Sequence, residues 1–491
     1  MKTILSILLT FAVFSSFAQE RTIEAESKVT TQHLVTINGK RVPYSATAGT
    51  QPVWNDSGKV IATLFYTYYE RTDITNKDTR PLLISFNGGP GSASVWMHLA
   101  YTGPRILKID NEGYPVQPYG VKENPWSVLD VADIVYVNPV NTGYSRVLDE
   151  KVDKKKTFFG VNQDIAYLAE WINTFVNRVN RWPSPKYLIG ESYGTTRVSG
   201  LALELQNRQW MYLNGVILVS PTGLGIERDG PVEAANRLPY YAAAAWYHKK
   251  LPQDLQSKDL DELLSEVEKK TIEELLPVMA KGAWAGEDDK TRMVSMFARY
   301  SGLKEEVVKQ HNLDVPTGFF WKELLREEGF TVGRLDSRYK GLDRTDAGTR
   351  PDFNAELTSW LHSFTPAINY YFKNHIKYET DIKYNMFGPV SPWDRDNDQT
   401  GENLRQAMAA NPYLHVMIQS GYYDGATTYF NAKYTMWNLD PSGKMKERLE
   451  FKGYRSGHMM YLRAEDLKTA NEDVREFIIK TVPASGTPAK Y

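Results

Sequence analysis

The chain has 491 residues, of which 42% are hydrophobic, so it can bury the core of one large domain with an insertion, or of two domains. Its formal net charge is -1, from 58 basic and 59 acidic residues without a long block of like charge. This balance argues against a nucleic-acid partner or an anionic membrane surface. The absence of cysteine excludes disulfides, thiolate metal sites and lipidation at a cysteine.

The first 18 residues have the three-part pattern of a secretory signal peptide. Lys2 supplies the positive charge, residues 4–14 form an apolar stretch, and residues 16–18 resemble a small-residue cleavage site. The apolar stretch is shorter than the roughly 20 residues that span a bilayer. We therefore predict an exported protein, periplasmic or secreted from a bacterium, without a membrane anchor in its mature form.

Apolar patterns after this segment predict a mixed β-sheet. Alternating runs at 33–37 and 60–69 are typical of antiparallel strands, with a hairpin turn at Asn38 and Gly39. Later runs are short and continuously apolar, which is typical of parallel strands buried on both faces. These runs are residues 81–86, 134–137, 187–189, 215–219 and 414–418. Residues 163–179 keep the spacing of a helix packed on such a sheet.

Residues 223–388 differ from the rest of the chain because they contain helical patterns and no comparable strand run. Sheet-like runs resume at Leu414, so we predict an α/β fold with a mostly parallel central sheet and a helical cap insertion. The predicted segments are 19–222 and 389–482 for the core, 223–388 for the cap and 483–491 for a tail. The alternative is that residues 223–388 form an independent second domain.

A single G-x-S-x-G match, Gly190 to Gly194, lies between the apolar run 186–189 and a helix-like stretch at 195–206. A serine on a sharp turn between a strand and a helix is a nucleophile elbow. The motif is short enough to occur by chance, and this strand-turn-helix setting favours Ser192 as a nucleophile. Such a serine needs a base, an orienting acid and an oxyanion hole.

The acid and the base are expected after the serine, on loops that follow later strands. His458 follows a strand-like run at 449–454 and a short turn, and Asp424 is the first carboxylate after the run that begins at Leu414. We predict His458 as the base and Asp424 as its orienting acid. The alternatives are a packing histidine and an ordinary turn aspartate.

Residues 87–91, Asn-Gly-Gly-Pro-Gly, follow an early predicted strand. Glycine lets the backbone approach a substrate closely, and an oxyanion hole takes one N–H from such a loop and one from the residue after the serine. A phosphate-binding loop is the competing interpretation, but the glycine spacings of the P-loop and of dinucleotide-binding loops are absent.

Together, these motifs resemble the serine carboxypeptidase family, peptidase family S10. The segments that carry the resemblance are 87–92, 190–194, 420–425 and 456–458, with further likeness at 124–127 and 137–145. They occur in the family's order, and the resemblance covers about residues 80–465. It implies an α/β-hydrolase fold, no cofactor, no metal, and peptides with a free C-terminus as substrates.

The resemblance also implies residue roles. The catalytic residues would be Ser192, Asp424 and His458. The oxyanion hole would be formed by the backbone N–H groups of Gly89 and Tyr193. The free carboxylate of the substrate would be held by Asn87, Gly88 and Glu191. The family usually has a glutamate in a Glu-Leu-Gly-Pro segment, where this chain has Tyr101, which can donate a hydrogen bond but cannot share a proton in the same way.

Two carboxylates can share a hydrogen bond only when one is protonated. We therefore expect Glu191 to bind a substrate carboxylate best at acid pH; the alternative is that Glu191 only supports the elbow. The predicted activity is that of a serine-type carboxypeptidase acting through an acyl-enzyme on Ser192. The alternatives are an esterase or acyltransferase on the same scaffold, and a noncatalytic binding protein that kept the fold.

Overall fold

The computed structural model describes residues 21–396 and 398–491. The predicted signal peptide lies outside these residues. The strands of the described chain are β1 (Ser27–Ile37), β2 (Lys40–Trp54), β3 (Val60–Arg71), β4 (Leu82–Phe86), β5 (Arg105–Leu107), β6 (Val121–Glu123), β7 (Asp133–Val137), β8 (Arg146–Val147), β9 (Lys186–Glu191), β10 (Gly215–Val219), β11 (Thr331–Val332), β12 (Lys340–Gly341), β13 (His415–Gly421) and β14 (Leu449–Tyr454).

The α-helices of the same residues follow in chain order. They are α1 (Val95–Ala100), α2 (Lys154–Thr157), α3 (Val161–Arg178), α4 (Tyr193–Arg208), α5 (Pro231–Ala235), α6 (Leu238–Tyr247), α7 (Gln253–Gln256), α8 (Leu260–Lys270), α9 (Leu276–Lys281), α10 (Glu287–Ser301), α11 (Glu305–Gln310), α12 (Thr317–Glu323), α13 (Ala355–Tyr371), α14 (Thr400–Ala410), α15 (Tyr429–Leu439) and α16 (Ala464–Thr481). No helix of the described chain is long and apolar enough to cross a membrane.

One large sheet organises the molecule, in the strand order β1-β2-β3-β7-β4-β9-β10-β13-β14, with β8 paired to β3. The pairs among β1, β2, β3 and β7 are antiparallel. From β7 to β14 every pair is parallel. The sheet confirms the predicted α/β class, with an antiparallel beginning followed by a mostly parallel body.

Side chains of the parallel strands alternate between two hydrophobic clusters, one on each face of the sheet. In β9, Tyr187 and Ile189 join one cluster and Leu188 joins the other. Helices α1, α13 and α16 contribute to the first cluster, and α3, α4 and α14 contribute to the second. Because these strands are buried on both faces, their sequences are continuous apolar runs and do not alternate with polar residues.

The chain between the neighbouring strands β10 and β13 is long. Its helices α6, α8 and α10 form a third hydrophobic cluster, whereas Trp360 and Phe364 of α13 pack into the first cluster, against the sheet. This segment also contains the short antiparallel pair of β11 and β12. The limits 223–388 of the predicted cap remain a prediction.

A buried charge cluster holds the start of β7. Asp133 accepts hydrogen bonds from Nε of Arg80 at 2.7 Å, from Nη1 of Arg181 at 2.5 Å and from the backbone N–H of Arg71 at 2.9 Å. The side chains of Asp133 and Arg181 are completely buried. Because neither arginine can lose its charge, both depend on this carboxylate.

We predict that Asp133→Asn lowers the free energy of unfolding by about 3–5 kcal/mol, because it leaves a buried guanidinium charge without its partner. Urea denaturation measures the change. Asp149→Asn is the control, since Asp149 pairs with the exposed Lys59, and it should leave the unfolding midpoint nearly unchanged. Equal midpoints for the two variants would contradict this account of the cluster.

Candidate active site

Ser192 stands on a sharp turn between β9 and α4. Its φ of 57° lies in the left-handed region, which is strained for a serine. A Cβ on Gly190 would overlap the carbonyl oxygen of Gly194, and one on Gly194 would lie 2.9 Å from the carbonyl oxygen of Phe86. The turn therefore requires glycine on both sides of the serine, and it has the geometry of the predicted elbow.

The glycine loop that follows β4 contacts the first turn of α4. A Cβ on Gly88 would lie 2.5 Å from the backbone nitrogen of Tyr193, so only glycine allows this approach. Among the described residues, the N–H groups of Gly89 and Tyr193 have no hydrogen-bond acceptor. Gly89, Tyr193 and Ser192 line the same cavity. Both N–H groups can therefore donate to an oxygen held beside the serine.

Arg197, on the first turns of α4, connects the elbow to the glycine loop. Its Nε donates to Asp164 of α3 at 2.7 Å, and both side chains are completely buried. Its Nη1 donates to the carbonyl oxygen of Asn87 at 2.7 Å, and its Nη2 lies 3.4 Å from that of Pro90. One guanidinium thus holds the relative positions of the serine and the loop.

Asp424 and His458 meet because β13 and β14 are adjacent and parallel, so their following loops lie at one edge of the sheet. Oδ2 of Asp424 lies 2.7 Å from Nδ1 of His458 and 2.7 Å from the hydroxyl of Thr427. Its Oδ1 accepts from the N–H groups of Ala426 and Thr427 at 2.8 and 3.1 Å. Asp424 is completely buried, and these contacts fix its orientation.

The surroundings of His458 are those expected of a general base. Burial lowers its pKa, but the charge of Asp424 and the hydrogen bond to it outweigh burial and raise the pKa above 6.5. Glu191 adds to the rise, and Arg334 opposes it. With Nδ1–H directed to Asp424, Nε2 is left for Ser192, which lines the same cavity. No hydrogen bond joins Ser192 Oγ to this ring in the described chain, and such contacts often tighten only with substrate bound.

Glu191 is 3% exposed and lies beside the serine. Nδ2 of Asn87 donates to its Oε1 at 2.9 Å, and the hydroxyl of Tyr461 donates to its Oε2. Burial raises the pKa of Glu191 to about 7, against the opposing effects of His458 and of these two hydrogen bonds. The structure therefore brings Asn87, Gly88 and Glu191 together, next to Ser192 and His458.

Tyr461 is a site residue that could not be identified from the sequence. Its hydroxyl, and not that of Tyr101, donates to Glu191. The Tyr101 hydroxyl turns away from Glu191 and donates to Oε1 of Gln419 at 2.6 Å. Its ring stacks on that of Tyr461, with centroids 4.8 Å apart and an interplanar angle of 11°. The contact between Tyr461 and Glu191 had no motif signal, although Tyr461 lies only three residues after His458.

The cavity above Ser192 has a volume of about 400 Å³. Its apolar wall includes Trp96, Leu357, Phe387 and Met459. No group of three or more histidine, aspartate or glutamate side chains within 21–396 and 398–491 is placed to hold a metal ion.

Comparison with known proteins gives consistent matches. The serine carboxypeptidase family, peptidase S10, matches residues 48–458. The chain is similar to serine carboxypeptidase-like 16 of Arabidopsis thaliana, with 27% identity over 177 residues, 34% of this chain and 40% of that protein. It is also similar to serine carboxypeptidase S10 family member 1 of Dictyostelium discoideum, with 30% identity over 135 residues, 27% and 29% of the two chains. The matched segments thus span less than half of these relatives.

Among solved structures, the fold is similar to that of Kex1(delta)p, a prohormone-processing carboxypeptidase from Saccharomyces cerevisiae. The superposition has a TM-score of 0.53 and covers 89% of this chain and 91% of that one. The sequence identity is 13%, so this likeness concerns the fold alone.

We predict that Tyr461→Phe raises the pKa of Glu191 by about one unit, because it removes a hydrogen bond to the charged carboxylate. Carboxyl ¹³C NMR titration of the labelled protein measures the change. Tyr101→Phe is the matched control, since its hydroxyl bonds Gln419 and not Glu191. An equal rise in both variants would contradict a specific effect of the hydrogen bond from Tyr461 to Glu191.

Proposed function

We propose that this chain, which belongs to the serine carboxypeptidase family, releases the C-terminal residue of peptides through an acyl-enzyme on Ser192. The observation that carries the proposal is the buried pair of Asn87 and Glu191 directly beside the nucleophile elbow. An esterase needs the serine, its base and an oxyanion hole, but it does not need a closed polar site for a substrate carboxylate.

The contacts support a two-step reaction. Ser192 Oγ attacks the carbonyl carbon of the last peptide bond while Nε2 of His458 takes the hydroxyl proton. The N–H groups of Gly89 and Tyr193 stabilise the oxyanion, and Asp424 stabilises the imidazolium. His458 then gives its proton to the departing amine. A water molecule attacks the acyl-enzyme by the same route, which releases the shortened peptide and restores Ser192.

The substrate carboxylate would be bound by Asn87, by the N–H of Gly88 and by Glu191. A protonated Glu191 donates a hydrogen bond to a carboxylate, whereas an ionised Glu191 repels it. With a pKa of about 7, Glu191 can be protonated at mildly acid pH, where an ordinary glutamate would be ionised. C-terminal recognition would therefore be strongest on the acid side of neutrality.

Residues 1–18 support export of the protein, since they have the composition of a secretory signal. We place the reaction in the periplasm or outside a bacterial cell. Its proposed partners are peptides with a free C-terminus.

Hydrolysis of a blocked dipeptide and of its C-terminal amide tests the proposed activity. We expect release of the last residue from the free acid, with Ser192→Ala lowering kcat by at least about 10³-fold because the nucleophile is lost. Chromatography of the released amino acid measures the rate. Hydrolysis of simple esters with neither peptide cleaved would favour an esterase. Binding of peptides without turnover would favour a noncatalytic protein.

The pH dependence tests Glu191 separately. We expect the ratio of kcat/KM for the free acid to kcat/KM for the amide to fall as pH rises through about 7, because the protonated fraction of Glu191 falls. Titration of His458 affects both substrates and cancels in the ratio. Glu191→Gln, which is neutral at every pH, should make the ratio independent of pH. An unchanged pH dependence in this variant would exclude Glu191 as the titrating group.

A further inference from the structure

Arg334 lies on a segment that is hydrogen-bonded to both loops of the predicted acid and base. Its carbonyl oxygen accepts from the N–H of Gly425, the residue after Asp424, at 3.0 Å. The carbonyl oxygen of Leu335 accepts from the N–H of His458 at 2.6 Å. The backbone that carries Arg334 is therefore fixed relative to the catalytic histidine.

A buried carboxyl group and a buried ion pair hold this segment in place. The N–H of Leu335 donates to Oε1 of Glu356, which belongs to α13 and is completely buried. Asp336 and Arg338 form a buried ion pair at 2.7 Å. The exposed side chain of Arg334 thus extends from a rigid part of the insertion into the space above Ser192.

Arg395 approaches the same cavity from another side. Its segment runs beside the glycine loop, where the N–H of Gly388 donates to the carbonyl oxygen of Gly91 at 2.7 Å. The indole N–H of Trp393 donates to the hydroxyl of Tyr193 at 3.1 Å. Arg334 and Arg395 therefore reach the cavity of Ser192 from two different loops.

The charge in this region is mostly positive. Arg334 also lines a second cavity of about 490 Å³, together with Arg350. In the described chain, no aspartate or glutamate lines that second cavity, and Glu191 is the acidic residue of the first. The guanidinium groups of Arg334, Arg350 and Arg395 make no ion pair with a described residue. A guanidinium that forms no ion pair within the protein is available to donate to a ligand carboxylate.

We propose that Arg334 and Arg395 make the cleft selective for peptides with an acidic side chain next to the scissile bond. This inference rests on the proposed carboxypeptidase activity and adds the substrate class to it. The acidic residue is the last or the second-to-last of the peptide, since the two arginines approach Ser192 from different loops.

Four blocked dipeptides test the inference: Glu-Leu, Gln-Leu, Leu-Glu and Leu-Gln. We expect kcat/KM for glutamate to exceed that for glutamine by about fivefold in at least one position, the effect of one partly exposed ion pair. Added salt should reduce this ratio. Arg334→Gln or Arg395→Gln should bring it to about one. The ratio is taken within each variant, so it does not depend on the yield of folded protein.

Arg344→Gln is the matched control. Arg344 is an exposed arginine of the same insertion that lines neither cavity, and its removal should leave the ratio unchanged. Equal cleavage of glutamate and glutamine substrates by the wild type would overturn the inference and leave the carboxypeptidase activity standing. A ratio that survives in both Arg334→Gln and Arg395→Gln would overturn the role of these arginines.

Binding to Ser192→Ala separates the inference from the proposed activity, because it needs no turnover. Calorimetry with the same four peptides should show about fivefold tighter binding of glutamate over glutamine in the favoured position. If the wild type cleaves none of the peptides but this preference remains, the activity is wrong and the acidic site is supported. Equal or absent binding of the two side chains would overturn the acidic site.

Discussion

The buried pair of Arg197 and Asp164 is the interaction on which the geometry of the site depends. Arg197 follows the serine by about one helical turn and donates to backbone carbonyls of the glycine loop. A buried pair of this kind gains little net stability, because desolvation of both charges offsets their attraction. The pair instead fixes relative positions, because the planar guanidinium of Arg197 joins α3, α4 and the loop after β4 through donors that point in fixed directions. Ser192 and the backbone N–H groups of Gly89 and Tyr193 belong to these elements.

The carboxylates near this centre differ in their surroundings, and the difference separates their roles. Asp424 accepts four hydrogen bonds, two of them from backbone N–H groups, so its charge is well compensated in a buried position. Glu191 accepts two, and burial outweighs them, which raises its pKa to about 7. One carboxylate is thereby suited to stabilise an imidazolium ion, and the other to exchange a proton near neutrality.

The insertion between β10 and β13 contributes residues to the wall of the cavity that contains Ser192. It contributes no residue of the predicted triad, but the segment at Arg334 is hydrogen-bonded to the loops of Asp424 and His458. The same segment is held by Glu356 of α13, which packs against the sheet. The proposed selection of acidic substrates is therefore linked to the positions of Asp424 and His458 by short backbone hydrogen bonds.

The sequence by itself determined the features that depend on local rules. Strands buried on both faces produce apolar runs, and the elbow needs glycines around Ser192, so the sheet and the candidate nucleophile could be predicted. Asp424 and His458 could be predicted because the acid and the base that serve such an elbow follow the serine in the chain, on loops after later strands. The tertiary structure alone decided that Tyr461, and not Tyr101, reaches Glu191, and that Arg334 enters the cavity. These contacts join residues far apart in the chain, 270 positions for Tyr461 and Glu191, and depend on side-chain packing that no local pattern records.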